Sequence, residues 1–184
     1  MNALTQIQAV RGSVDEVQRI HDNALNAVTS EAQSAVANKE LDAAMAKTNS
    51  LSSQIRNQLK SMDATNKQMM KADPTGNDPK IRISQHSVLT KNFLDVMMAY
   101  KGIQELYQDK YKDRMQRQAL IVKPNATEEE IKNMMDGDKG QMFAKQIVNT
   151  GQRNEARKAL EEIQNRHRDV QRIEKSILVP HSSP

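Results

Sequence analysis

An all-α fold is predicted by three features of this 184-residue sequence. Gly and Pro number only 6 and 5, too few for the repeated tight turns of a sandwich or barrel. The remainder is rich in Gln, Asn, Ala, Lys, Glu, Arg and Met, most of which lose little on entering a helix. Apolar side chains recur in a seven-residue rhythm over long stretches, the spacing of a seam that packs against other helices. The architecture expected is an antiparallel three-helix bundle over 1–119, a linker over 120–151 holding a short helix at 127–135, and a coiled-coil-type helix over 152–177. Residues 178–184 form a tail.

The first segment, roughly 3 to 29, sets Ile7, Val14, His21 and Val28 in one row, with Val10, Val17 and Ala24 three residues on. The second, about 31 to 71, repeats the rhythm with Leu41, Thr48, Ile55, Met62 and Met69, flanked by Met45, Leu51 and Leu59. DPTGNDPK then places two Pro, one Gly and two Asp within eight residues and breaks the pattern. In the third, about 81 to 119, Ile83, Thr90, Met97, Gln104 and Tyr111 share a row beside Phe93, Leu94, Tyr100, Tyr107 and Met115. Helices of these lengths are about 40–60 Å long at ~1.5 Å per residue, and short connections make neighbours antiparallel.

Pro124 interrupts the third segment, and Thr127-x-x-Glu130 then reads as a capping box opening a short helix through Met135. Glu128, Glu129 and Glu130 sit where a helix N-terminus favours negative charge. Asp136-Gly137-Asp138 and Gly140 close that helix, and a patchy stretch with Phe143, Ile147 and Val148 follows. From about 152 a last stripe emerges, Leu160, Ile163, Val170, Ile173 and Ile177, spaced 3, 7, 3 and 4, and stops at Leu178-Val179-Pro180.

Hydrophobic residues make up 37% of the chain, aromatics 3%, and the mean hydropathy is −0.77, so the core is thin and poorly suited to an enclosed active site. The 27 basic and 23 acidic residues leave a formal charge of +4, too mild and too evenly interspersed to imply nucleic acid. There is no cysteine, hence no disulfide or thiolate metal site. No apolar run of about 18 residues is present to span a bilayer, and the start MNALTQIQAVRGS lacks the pattern of a secretory signal. His21, His86, His167 and His181 lie far apart without metal-ligand spacing, and His21 reads as a core residue. Neither a phosphate loop, a dinucleotide fingerprint nor a nucleophile elbow occurs. Lys110, Lys112, Arg114 and Arg117, interleaved with Asp109 and Asp113, read first as a solvated helix face and second as a surface for an acidic protein or lipid headgroup. The eleven Met read as bundle filler. No enzyme, cofactor or metal is expected.

The stretches KDRMQRQ (112–118), NATEEEIKNMM (125–135), GQMFAKQIV (140–148) and NEARKALEEIQNRHRDVQRIEKSI (154–177) carry a resemblance to the syntaxins, the Qa class of SNARE proteins, above all those of plasma-membrane type. Most telling is the last block, where Glu162 to His167 and Ile173 to Ile177 fit the start of a syntaxin fusion helix. The resemblance covers residues 4 to 177 and implies that the three-helix bundle is a Habc domain. It further implies a role in vesicle docking and membrane fusion during exocytosis, with no catalysis.

By the same resemblance, Ile163, Val170, Ile173 and Ile177 are the seam that meets target and vesicle SNAREs in a parallel four-helix coil. A Sec/Munc (SM) protein is the other implied partner. Ile131, Lys132 and Phe143 in the linker are the implied latch that holds the fusion helix closed against the bundle. The parent protein would sit at the cytoplasmic face of the plasma membrane, held by a C-terminal anchor absent from this chain, which by itself would be soluble. Set against the family pattern, LVPHSSP stands where the fusion helix would be expected to continue, and residue 1 lies almost at the first helix, with the place of a short N-terminal SM-binding peptide left open. From a different class, a helical scaffold or tethering bundle without switching also fits the heptads. A basic module for anionic membrane or nucleic acid is a third reading, one whose binding would fall steeply between about 50 and 200 mM salt.

Overall fold

The computed structural model describes residues 3–26, 31–137, 139, 140, 142 and 153–176, with the side chains of 31–34 and 153 left aside. The described residues form five long or short helices and no strand: α1 (Ala3–Asn26), α2 (Glu31–Ala72), α3 (Asn77–Val122), α4 (Glu128–Met135) and α5 (Arg153–Ser176). Two compact units divide the chain, Met1–Ile103 and Gln104–Pro184.

The first unit contains α1, α2 and the beginning of α3. Its core joins Ile7, Val10, Val14, Val17 and Ile20 of α1 to Leu41, Ala44, Met45, Ile55 and Leu59 of α2 and to Phe93, Val96 and Tyr100 of α3. His21 is fully buried at the end of the α1 row, the core position its spacing predicts. The helix directions follow from paired contacts. Ser13 and Thr48 share a buried hydroxyl–hydroxyl bond of 2.7 Å, and Glu16 pairs with Lys47. Residue numbers rise on α1 as they fall on α2, so the two run antiparallel. Between α2 and α3, Asn66 Nδ2 donates to the Arg82 carbonyl and His86 Nε2 meets the Leu59 carbonyl at 3.0 Å, again with opposed numbering. Met62 and Met69, expected in the α2 row, are only half-buried.

The α2–α3 turn shows why DPTGNDPK breaks the chain. Asp73 Oδ1 accepts the Gly76 N–H at 2.9 Å, folding the carboxylate back over the turn. A Cβ at Gly76 would lie 1.9 Å from Asp73 Oδ2, so only glycine admits that closure. Pro79 falls in the first turn of α3, where a missing N–H leaves no helical bond unmade. The helix therefore starts four residues earlier than its apolar pattern predicts. At its far end it continues to Val122 and stops before Pro124, whose ring disfavours helical geometry at the preceding residue.

Within α3 two expected stripe residues are corrected. Ile83 and Leu94 are exposed, at 41% and 51%, and Thr90 and Met97 are half-buried. The buried face is instead Phe93, Val96, Tyr100, Gln104, Tyr107, Tyr111, Met115 and Ala119. Those steps of 3, 4, 4, 3, 4, 4 and 4 track the ~3.6-residue period of a straight helix, whereas a strict seven-residue row drifts off that face by about 20° per heptad.

Candidate partner-helix interface

In the second unit the last turns of α3 meet α4 and α5. Three side-chain pairs fix how α5 lies on α3. Gln104 Nε2 donates to Ser176 Oγ at 2.6 Å, Gln108 Nε2 donates to Glu174 Oε1 at 2.9 Å, and the Arg114 guanidinium pairs with the Glu162 carboxylate. The numbers rise on α3 as they fall on α5, so α5 runs antiparallel to this part of α3. Ser176 Oγ passes its own proton to the Ile173 carbonyl at 2.9 Å, which leaves the hydroxyl oxygen as the acceptor for Gln104.

Between these polar pairs lies an apolar seam. Ala156, Ala159, Leu160, Ile163, Val170 and Ile173 of α5 are buried, as are Tyr107, Tyr111, Met115 and Ala119 of α3. Ile163, Val170 and Ile173 are thus brought onto one buried face of α5, the face their spacing predicts, whereas Ile177 lies outside the described residues. Each such aliphatic removed from water contributes roughly 1.5–3 kcal/mol. Most helical stability in a protein comes from packing an amphipathic face, so the seam needs a facing surface.

The seam is not wholly apolar. Arg166 and Asp169, at 4% and 1% exposure, are buried within it. Asp169 is held from both sides by its own helix, with Arg166 Nη1 at 3.2 Å from Oδ2 and Arg172 Nη1 donating to Oδ1 at 2.9 Å. The Arg166 guanidinium lies over the Tyr111 ring, 5.3 Å from its centroid, within cation–π range. Burial, then the Asp169 carboxylate, pushes the Tyr111 phenol far above the usual tyrosine range, so it stays neutral at any physiological pH. On the same helix Lys110 Nζ lies 4.7 Å from the Tyr107 ring centroid. The basic run of α3 is therefore partly spent in this unit, through Arg114 on Glu162 and Lys110 on Tyr107.

The short helix α4 begins with the predicted capping box. Glu130 N–H donates to Thr127 Oγ1 at 3.3 Å, and Thr127 N–H donates to Glu130 Oε2 at 2.9 Å. Lys123 Nζ also binds the Glu130 carboxylate. The Lys123 hydrogen bond, then that from the Thr127 N–H, holds the Glu130 carboxyl below the usual glutamate range. On the face of α4 that turns inward, Ile131 and Met134 are buried, while Lys132 is exposed. The helix touches α5, and just beyond it Gly137 approaches the His167 ring so closely that a Cβ there would lie 2.8 Å from Nε2. Phe143 lies outside the described residues.

Sequence reasoning missed Arg166, Asp169 and Met134. The signal for Arg166 was the seven-residue gap from Ile163 to Val170 in a stripe that otherwise steps by three or four, because Arg166 stands three residues after Ile163. Among the described residues no His, Asp and Glu cluster has the arrangement to hold a metal ion, and no helix is long and apolar enough to cross a membrane.

The syntaxin family profile matches residues 2–147. Syntaxin-like protein psy1 of Schizosaccharomyces pombe is 30% identical over 172 residues, which cover 93% of this chain and 59% of that protein. The chain thus spans little more than half the length of that curated relative. Among solved structures, a chain of the Unc18–syntaxin 1 complex from Monosiga brevicollis superposes with a TM-score of 0.71 at 26% identity, covering 96% of this chain and 72% of that one. The family profile alone covers well over half of the residues, and with the five-helix order behind it the chain belongs to the syntaxin family, SNARE proteins and not enzymes.

Proposed function

We propose that this chain is the regulatory and switching portion of a target-membrane SNARE acting in vesicle docking and fusion during exocytosis, with α5 as the start of its fusion helix. In this reading residues 1–119 are the Habc-like bundle, 120–151 the linker with its helix at 127–135, and 152–177 the beginning of the SNARE motif. The observation that carries it is the burial of Ile163, Val170 and Ile173 on a helix that Gln104–Ser176, Gln108–Glu174 and Arg114–Glu162 tie to α3 within one unit. A seam that other SNAREs must reach is here already occupied, so docking on α3 and assembly into a four-helix coil exclude one another. Ile131 and Lys132 of α4, with Phe143, are the latch that favours the docked state, Ile131 by its burial. An SM-type protein of the Unc18 class is the partner expected to hold this closed arrangement. The parent protein would act at the cytoplasmic face of the plasma membrane.

Binding experiments test this reading with the chain as it stands. An Unc18-type protein should bind it, and should bind less well once 153–184 is removed. Matching vesicle and target SNAREs should give no heat-resistant ternary complex, since three or four seam positions are too few for a stable coil. A heat-resistant complex, or SM binding indifferent to loss of 153–184, would refute the reading.

A further inference from the structure

We propose that Arg166 is the register-setting and partner-selecting position of α5, and that the ring face of Tyr111 is what reads it; the inference rests on α5 docking on α3 as read above. In the heptad frame given by Ile163, Val170 and Ile173, the place between the first two belongs to residue 166. An aliphatic side chain there would make the apolar seam continuous. This chain instead buries a guanidinium, 4% exposed, with Asp169 beside it at 1%.

Compensation of that charge comes from α5 itself. Asp169 is bound by Arg166 and by Arg172, each one turn away on the same helix, so the cluster moves with α5 wherever it docks. What α3 adds is a flat aromatic face 5.3 Å from the guanidinium carbon. A planar cation is well matched to a ring face and poorly matched to hydrocarbon. One polar residue at a seam position fixes register and partner at some expense of stability, because every other alignment leaves it facing the wrong surface. Sliding α5 by one turn would carry Arg166 off Tyr111 and also break Gln104–Ser176, Gln108–Glu174 and Arg114–Glu162 together. A helix that takes the place of α3 on this stretch of seam is therefore held best in register where it presents an aromatic ring opposite residue 166.

The test uses the full chain, read by amide hydrogen exchange over 160–176 and by sedimentation. Tyr111→Phe, which keeps the ring, should lose less protection than Tyr111→Leu. Tyr111→Leu should lower it about tenfold, the size of a good cation–π contact in a desolvated site. Arg166→Leu should make the seam continuous, so the chain should self-associate at lower concentration than the parent. In the double variant Tyr111→Leu, Arg166→Leu, protection should recover above that of Tyr111→Leu alone, two apolar side chains now meeting. Additive effects of the two changes, equal losses for Tyr111→Phe and Tyr111→Leu, or an Arg166→Leu chain that self-associates no more readily than the parent would overturn the inference while leaving docking itself intact. Free-peptide exchange of 160–176 in the parent chain would overturn docking and the inference with it.

Discussion

At the scale of single residues, Glu130 illustrates how a short linker helix depends on charge. Its carboxylate accepts the Thr127 N–H and the Lys123 ammonium, and both bonds favour the ionised form. Its folded pKa is therefore depressed, first by Lys123 and then by Thr127. A depressed carboxyl contributes stability that is fully present above the unfolded glutamate pKa and is lost as pH falls through the lower folded value. Exchange of the α4 amides should accordingly speed up on acidification through the carboxylate range, and Glu130→Gln should flatten that dependence. Thr127→Ala should weaken α4 locally by about 1 kcal/mol at neutral pH, the usual loss for an N-cap hydroxyl. The two glycines beyond α4 should differ. A Cβ at Gly140 would sit 2.7 Å from the Met134 carbonyl oxygen, which is backbone, whereas at Gly137 it meets the far end of the His167 side chain. Gly140→Ala should therefore lower the melting temperature more than Gly137→Ala, and His167→Ala should rescue the latter only. The capping box was legible in Thr127 and Glu130 because it is local. Arg166 was not, since the ring it packs on, Tyr111, lies fifty-five positions away in the chain.

At the scale of elements, α5 was legible from periodicity, α4 from its capping box, and α3 only in part. The α1 row and the early α2 row placed Ile7, Val10, Val14, Val17, Leu41, Thr48 and Ile55 in the core because two heptads drift little from the helix period, whereas Met62 and Met69 further along α2 are only half-buried. Over the 46 residues of α3 the drift accumulates, and Ile83 rotates out to solvent. The same logic ranks substitutions in α4. Met134 is 1% exposed and Ile131 9%, while Lys132 lies in solvent. Met134→Ala should be the most disruptive, about 2–5 kcal/mol where the site is packed. Ile131→Ala should fall at or below the lower end of that range, and Lys132→Ala should be close to neutral. Thermal melts of the three single variants check the order. If Lys132→Ala alone frees α5 as far as Ile131→Ala does, α4 acts on α5 through charge and not through burial.

At the scale of the whole molecule, each unit closes its own apolar surface, the first through α1, α2 and the early turns of α3, the second through the late turns of α3 with α4 and α5. The fragment 1–119 should therefore melt cooperatively as a monomer, checked by circular dichroism and sedimentation. It should melt below the full chain, because Tyr107 and Tyr111, both fully buried here, lose the helix that covers them. An obligate oligomer, or a melt without cooperativity, would contradict an independent bundle. The order of helices was legible in the sequence because loops and caps are written locally in Pro, Gly, Asp and Thr. That α5 folds back on late α3 was not written in the periodicity, because the seam spacing suits any facing helix equally; only the family resemblance implied a closed arrangement. The most direct measurement of that central point is hydrogen exchange on the unaltered chain beside the Ile131→Ala, Met134→Ala variant. Amides 160–176 should be protected in the parent and exchange at least tenfold faster in the variant, while 93–103 keep their protection. Equal exchange of 160–176 in both chains, at the rate of a free peptide, would contradict docking of α5 on α3.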